Sequence, residues 1–319
     1  MELRPATEEE NRRRDAVTFA AWGSPLALEQ WYRREALLRA HPWCARGMQS
    51  WQLRDGDGRV LSSCETFRMA SEVRDGGGEA RGGHAYGVAS VFTEERLRGH
   101  GYAVQMLDRV HRRVAAEDPA AQAFILFTEV GARIYERAGY AARAEWDEDW
   151  VFPPSGATGP GAAELVPEAE LERALARAEP PGDGFLVWPS ADQLDWHRER
   201  ERFYATALGR PRAPGCGAEH PDGIAFWAGN LRSERLYILL LRARTPAAAD
   251  ALVEAARRAA GAAGLGAVHL WKCPMPEGWA PERSSGRAVP RDPALPMIHP
   301  LRPEVRPEAW RFIPRGLWI

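Results

Sequence analysis

Lysine is all but missing from these 319 residues: Lys272 is the one example, and arginine supplies the rest of the basic charge. No Gly-Lys-Ser/Thr phosphate loop of the Walker kind can therefore be assembled. Cysteine is scarce too. Cys44, Cys64, Cys216 and Cys273 are too widely spaced for a zinc pattern or an evident disulfide framework and read as reduced thiols. No apolar stretch approaches the roughly 20 residues of a membrane span. The first fourteen residues are charged, without the apolar core of a secretion signal, so a cytoplasmic location is the expectation. A net charge of −2 lacks the basic field of a general nucleic-acid binder. A hydrophobic share of 45 % and a charged share of 27 % suit a globular enzyme, and the length allows two domains.

The most informative segment is Arg96-Leu97-Arg98-Gly99-His100-Gly101-Tyr102-Ala103, which follows a strand-like stretch (84–92) and opens a helix-like one (102–116). Two glycines allow a tight turn in which successive N–H groups point at one guest, and the positive end of the helix dipole faces the same spot. Arg96 and Arg98 add guanidinium donors at the rim. A diphosphate is the natural guest. The three-glycine dinucleotide fingerprint, with its acid about 20 residues on, is absent.

Arg-x-x-Gly-x-Gly after a strand resembles the acetyl-CoA loop of the GNAT acetyltransferase superfamily. Downstream, Phe124-Ile125-Leu126-Phe127-Thr128 reads as a strand, and Ile134-Tyr135-Glu136-Arg137-Ala138-Gly139-Tyr140 looks like that superfamily's second signature. Upstream, 2–7 reads as a strand, Thr7 and Glu10 as a capping box and Ser24 as the cap of a second helix. In that helix Leu26, Trp31, Glu35 and Leu38 form an uneven stripe. Strands at 48–54 and 60–67 flank the hairpin signal Asp55-Gly56-Asp57-Gly58, and 75–83 reads as a glycine-rich loop. The fold the resemblance implies is α/β (α+β): a GNAT fold with a mixed, splayed central sheet.

Further pieces are similar to the fungal lysine N-acetyltransferase family of lysine catabolism. They are Ser63-Cys64-Glu65-Thr66-Phe67, Ala89-Ser90-Val91-Phe92-Thr93, Phe127-Thr128-Glu129-Val130-Gly131, Asp195-Trp196-His197 and Ile224-Ala225-Phe226-Trp227. Pro153-Pro154-Ser155-Gly156-Ala157-Thr158-Gly159-Pro160-Gly161 cannot hold regular structure. The expected organisation is a catalytic domain at 1–152, a linker at 153–164 and a C-terminal domain at 165–319. Within the last, a strand (236–242), a helix (245–263) and a strand (268–271) repeat the middle of the first domain without its glycine loop. A degenerate GNAT-like repeat and an unrelated cap both remain open.

By resemblance the cofactor is acetyl-CoA, with no metal. Phe92, Thr93, Arg96, Arg98, Gly99, His100, Gly101, Tyr102 and Ala103 would contact it. Tyr135 would protonate the departing thiolate, and the N–H of Val91 would polarise the thioester carbonyl. A lysine ε-amine, with a pKa of about 10.4 in water, must lose a proton to attack. Glu65 and Glu129 are the candidate bases, each equally readable as a surface or helix-start carboxylate. If the acceptor is free lysine, His197 or Arg198 could meet its carboxylate, although 192–203 also reads as an ordinary amphipathic helix. The run Arg109-Val110-His111-Arg112-Arg113 reads as a solvated helix face, Asp147-Glu148-Asp149 as a solvated strand end or a lure for a cationic acceptor. Expected partners are a small amine, lysine favoured, with no nucleic acid and no membrane. The alternatives are a protein or other small-amine acetyltransferase, or a non-catalytic CoA-binding sensor.

Overall fold

The computed structural model describes residues 1–74, 80–157, 161–291 and 294–319. The first half runs β1 (Glu2–Pro5), α1 (Glu8–Trp22), α2 (Leu28–Ala40), α3 (Pro42–Gly47), β2 (Met48–Arg54), β3 (Val60–Arg74), β4 (Ala80–Phe92), α4 (Tyr102–Glu117), β5 (Ala121–Thr128), α5 (Arg133–Glu136), β6 (Ala141–Ala142) and β7 (Glu148–Phe152). The second runs β8 (Glu164–Val166), α6 (Leu171–Leu175), β9 (Gly184–Val187), α7 (Ala191–Leu208), β10 (Gly217–His220), β11 (Gly223–Asn230), β12 (Arg235–Ala243), α8 (Pro246–Ala262), β13 (Ala267–Trp271), β14 (Arg287–Pro290) and β15 (Leu295–Pro300).

Local signals largely hold. The Thr7 hydroxyl accepts from the Glu10 N–H at 3.3 Å while the Glu10 carboxylate accepts from the Thr7 N–H at 2.9 Å. The Asp55 carboxylate accepts from the N–H groups of Asp57 and Arg59, closing the hairpin. Ser24 does not cap α2. It lies in a turn closed by the Leu26 N–H on the Gly23 carbonyl at 2.8 Å, and the helix begins later, where the Gln30 side chain accepts from Ala27 N–H. Of the expected loop at 75–83, residues 75–79 lie outside the described residues and the rest belong to β4, as Thr158, Gly159 and Pro160 of the expected linker also lie outside them. On α4, Arg112 and Arg113 are exposed, but His111 is buried against Tyr140 (2.9 Å) and His299, because its turn faces the sheet.

The strands form two mixed sheets of matching plan, β1-β2-β3-β4-β5-β15-β6 and β8-β10-β11-β12-β13-β7-β14, with β9 added to the far end of β3. In each, the fourth and fifth strands run parallel and the other neighbours antiparallel. The sixth place in each sheet is filled from the other half: β15 lies between β5 and β6, and β7 between β13 and β14. Glu148–Phe152, read from sequence as the end of the first unit, thus runs in the second sheet, and Leu295–Pro300 runs in the first. Each exchanged strand covers an edge that would otherwise expose unpaired N–H and C=O groups. The halves also share one core, in which Phe67, Ile125 and Ile298 pack with Phe185, Trp196 and Trp310.

Both parallel pairs open like a V. β4 and β5 are paired only from His84 to Gly87, and β12 and β13 only from Arg235 to Ile238. In the second half the tail of the chain fills the opening. Arg315 lies 4.6 Å from the Tyr237 ring and 5.1 Å from that of Trp271, and a Cβ on Gly316 would come within 3.0 Å of the Leu239 carbonyl. No glycine precedes α8; Thr245 caps it with its own hydroxyl and Pro246 follows. The first opening stays accessible.

Candidate active site

The opening between β4 and β5 is made by a defect in β4. Its register on β3 passes from Glu65↔Ala89 to Ser63↔Phe92, so Ser90 and Val91 together face a single residue, and Ser90 takes a φ of 53°. Arg14, buried on α1, fastens this bulge. Its guanidinium donates to the Ser90 carbonyl at 3.1 Å, to the Glu65 carboxylate at 2.7 Å and to the Ser63 hydroxyl at 3.2 Å. Past the bulge, the Ser62 hydroxyl donates to the Phe92 carbonyl and bonds Thr93, fixing how the strand enters the loop.

In the loop, Gly99 (φ 83°) and Gly101 (φ 75°) both adopt the left-handed conformation that favours glycine. Among the described residues, no hydrogen bond is donated by the backbone N–H groups of Gly99, His100, Gly101, Tyr102 or Ala103. Five such donors ahead of a 16-residue helix make a strong anion cradle. A Cβ added at Gly99 meets nothing within 4 Å, so the space beside it is open to a guest. Of the two rim arginines, Arg96 is engaged by Glu94 at 2.8 Å and Arg98 donates to the Thr93 carbonyl at 3.2 Å, both in solvent. His100 stacks on Tyr102 with ring centres 5.5 Å apart.

On the inner side of the V lies a cavity of about 280 Å³, bounded by α1, α2 and α7 and lined by Val91, Glu65 and Tyr135. Tyr135 is buried against Tyr140, and burial pushes its pKa up to about 12. Glu129 is exposed at the mouth. Cys64 is fully buried, and burial pushes its thiol up to about 12, far from the thiolate needed for a covalent intermediate.

Neither His197 nor Arg198 lines this cavity. His197 faces inward to the Gly316 carbonyl at 3.1 Å, and burial lowers its pKa to about 3, so it stays neutral. Arg198 is enclosed by Glu201 and Glu168. Asp149 likewise lies inside the second sheet, where His269 and Arg291 hold it at 3.1 Å, because β7 crosses to that sheet. What the cavity contains instead is a group that sequence reasoning missed: Arg34, Glu35 and Arg39 from α2 and Arg200 from α7. Glu35 is flanked by Arg34 and, at 3.5 Å, Arg39, which also grips Asp15. Burial outweighs these cations and raises the Glu35 pKa above the usual carboxylate range. An acid in the middle of a stripe shared with Trp31 and Leu38 was the available signal. The helices are locked together by the Trp196 indole N–H on the Leu38 carbonyl (3.3 Å) and by His41 with Asp195 (3.2 Å).

Two splayed mixed sheets of the same plan, one with an open glycine loop and one with its opening filled, form a duplicated architecture. Both halves have the GNAT fold. A tandem GNAT protein from the clavulanic acid biosynthesis pathway superposes with a TM-score of 0.50 at 13 % identity, covering 95 % of this chain and 99 % of that one. A probable N-acyltransferase from Enterococcus faecalis V583 gives 0.55 at 14 %, covering 93 % and 72 %, and a GCN5-related N-acetyltransferase from Kribbella flavida gives 0.53 at 17 %, covering 93 % and 70 %. Residues 166–294 match the family described as the LYC1 GNAT-like C-terminal domain. A lysine acetyltransferase of Yarrowia lipolytica is 30 % identical over 112 residues, which span 34 % of this chain and 29 % of that relative. The GNAT second half is therefore a repeat of the first rather than an unrelated cap.

Proposed function

We propose that the protein is an acetyl-CoA-dependent N-acetyltransferase that moves an acetyl group directly to a primary amine, with the ε-amine of free L-lysine as the favoured acceptor. The observation that carries this reading is the alignment of the β4 bulge, the open glycine loop and Tyr135 around one accessible cavity. The loop N–H groups and Arg98 hold the diphosphate of CoA. Val91, at the bulge, offers its N–H to the thioester oxygen as negative charge develops there. Glu35 accepts the proton that the amine gives up as its nitrogen bonds the acetyl carbon. As the carbon–sulfur bond breaks, Tyr135 meets the sulfur with its hydroxyl, which a pKa of about 12 keeps protonated at any working pH. Glu65, held by Arg14, serves as the strut of the bulge, and Glu129 stays at the rim. The acceptor choice draws support from the lysine acetyltransferase relative.

One test separates this from a CoA-binding sensor. Thiol release from acetyl-CoA is followed with L-lysine, polyamines, aminoglycosides and a histone-tail peptide; saturable release with L-lysine and ε-acetyl-lysine by mass is the expected result. Release only with another amine keeps the chemistry and discards lysine, and none with any amine favours the sensor. Separately, Gly99→Val forces a branched side chain into a left-handed position beside the cradle. We expect CoA affinity to fall by roughly 100-fold, about the loss of one or two charge-assisted hydrogen bonds. Calorimetric titration with CoA reads this directly, and unchanged affinity would mean the phosphates bind elsewhere.

A further inference from the structure

Arg200 projects from α7 into the cavity that holds Glu35 and Tyr135 and makes no ion pair or hydrogen bond with any described residue. Its guanidinium carbon lies 5.0 Å from the centre of the Trp318 ring, a contact that orients the group without neutralising it. The other inner arginines are answered: Arg14 by Glu65, Arg34 by Glu35 and Arg39 by Asp15. At the mouth, the exposed Arg232 donates to the Trp22 carbonyl at 3.1 Å. Of these four inner guanidiniums three are thus paired with a carboxylate, and Arg200 is not. Burial and the nearby Arg34 pull its pKa down to about 9, the direction expected of a desolvated cation lacking a counter-charge.

A half-buried guanidinium facing empty space in a cleft is complementary to an anion, and its planar fork suits a carboxylate held by two hydrogen bonds. We propose that Arg200 binds the carboxylate of the acceptor, so that the site selects an amino acid bearing a distal amine over a simple amine. This rests on reading the cavity as the acceptor site of an N-acetyltransferase and deepens that reading. The carboxylate supplies the missing negative charge, and the chain of the amino acid runs from α7 toward the bulge of β4 and Tyr135. Since Arg200 comes from the second half and the bulge from the first, the repeat that keeps no glycine loop contributes the specificity.

The test compares L-lysine with 1,5-diaminopentane, which is lysine without its carboxylate, as acceptors for acetyl-CoA. Arg200→Gln is expected to lower the ratio of kcat/KM for lysine to kcat/KM for diaminopentane by about 10- to 100-fold, through KM for lysine. The ratio is independent of how much folded enzyme a preparation contains. Arg200→Lys keeps the charge but loses the fork and should lower the ratio less; if Arg200→Gln gives no folded protein, this variant alone carries the test. An unchanged ratio in a variant that still acetylates both amines overturns the role of Arg200 and leaves acetyl transfer standing. No thiol release from the unaltered protein with either amine overturns the role of Arg200, and silence with the polyamines, aminoglycosides and histone-tail peptide as well overturns the acetyltransferase reading with it.

Discussion

Tyr135→Phe should lower kcat by about 100- to 1,000-fold, the range general-acid catalysis commonly supplies, while CoA affinity stays nearly unchanged. The ring is buried and packs edge-on against Tyr140 with centres 6.0 Å apart, so phenylalanine keeps the packing. The neighbouring Thr128 hydroxyl has its own partners in the Gly131 carbonyl at 3.0 Å and the Val130 N–H at 3.2 Å, so removing the Tyr135 hydroxyl leaves it satisfied. What disappears is the donor facing the sulfur as the carbon–sulfur bond breaks. Single-turnover acetyl transfer beside equilibrium CoA binding separates the two effects. Full turnover in the variant would remove Tyr135 from the chemistry, whereas a large loss of CoA affinity would make it a binding residue.

A comparable loss, about 100-fold or more in kcat/KM, is expected for Glu35→Gln. Glutamine keeps the shape of the side chain between Arg34 and Arg39 but cannot take the amine proton. The raised pKa of Glu35 also predicts a pH signature. Because burial shifts the carboxyl upward, the base is lost to protonation as pH falls through a value above the usual 4.5, and the acidic limb of the rate profile should lie there. In Glu35→Gln that limb should vanish from whatever rate remains. Neutralising Glu35 also frees Arg34 of its partner; the limb distinguishes lost chemistry from altered packing, since packing damage lowers the rate at every pH and leaves the limb in place. An acidic limb that survives in the variant assigns the base elsewhere, and Glu65 would be next to test.

Much of the glycine-loop side of the cavity was legible in the sequence because its determinants are local. A glycine pair in a left-handed turn, a helix start and a capping box are each set within a few residues of chain, by φ/ψ preference and by hydrogen bonds that close over one turn. Gly99 and Gly101 could be named for that reason, and Tyr135 by resemblance to the second GNAT signature. The opposite side, on α2 and α7, was not legible in the same way. Glu35 and Arg200 lie on helices whose surface patterns are ordinary, and they become a site only because Trp196 and Asp195 lock α7 onto α2. His197 and Arg198 sit beside Arg200 in sequence but turn inward, since neighbouring residues on a helix point in different directions.

The sequence by itself determined the alternation of strands and helices, the glycine loop, the hairpin at Asp55–Gly58 and the presence of a second strand–helix–strand unit without such a loop. These follow from short-range propensity and periodicity. Only the tertiary structure decided which sheet each strand joins. Nothing within β7 or β15 names its sheet; their partners are set by which half offers an open edge, and the two halves exchange them. It also decided that residues 315–317 fill the second opening while the first stays accessible. Strand pairing and cavity filling depend on contacts between segments far apart in the chain, and no pattern confined to either segment encodes its partner.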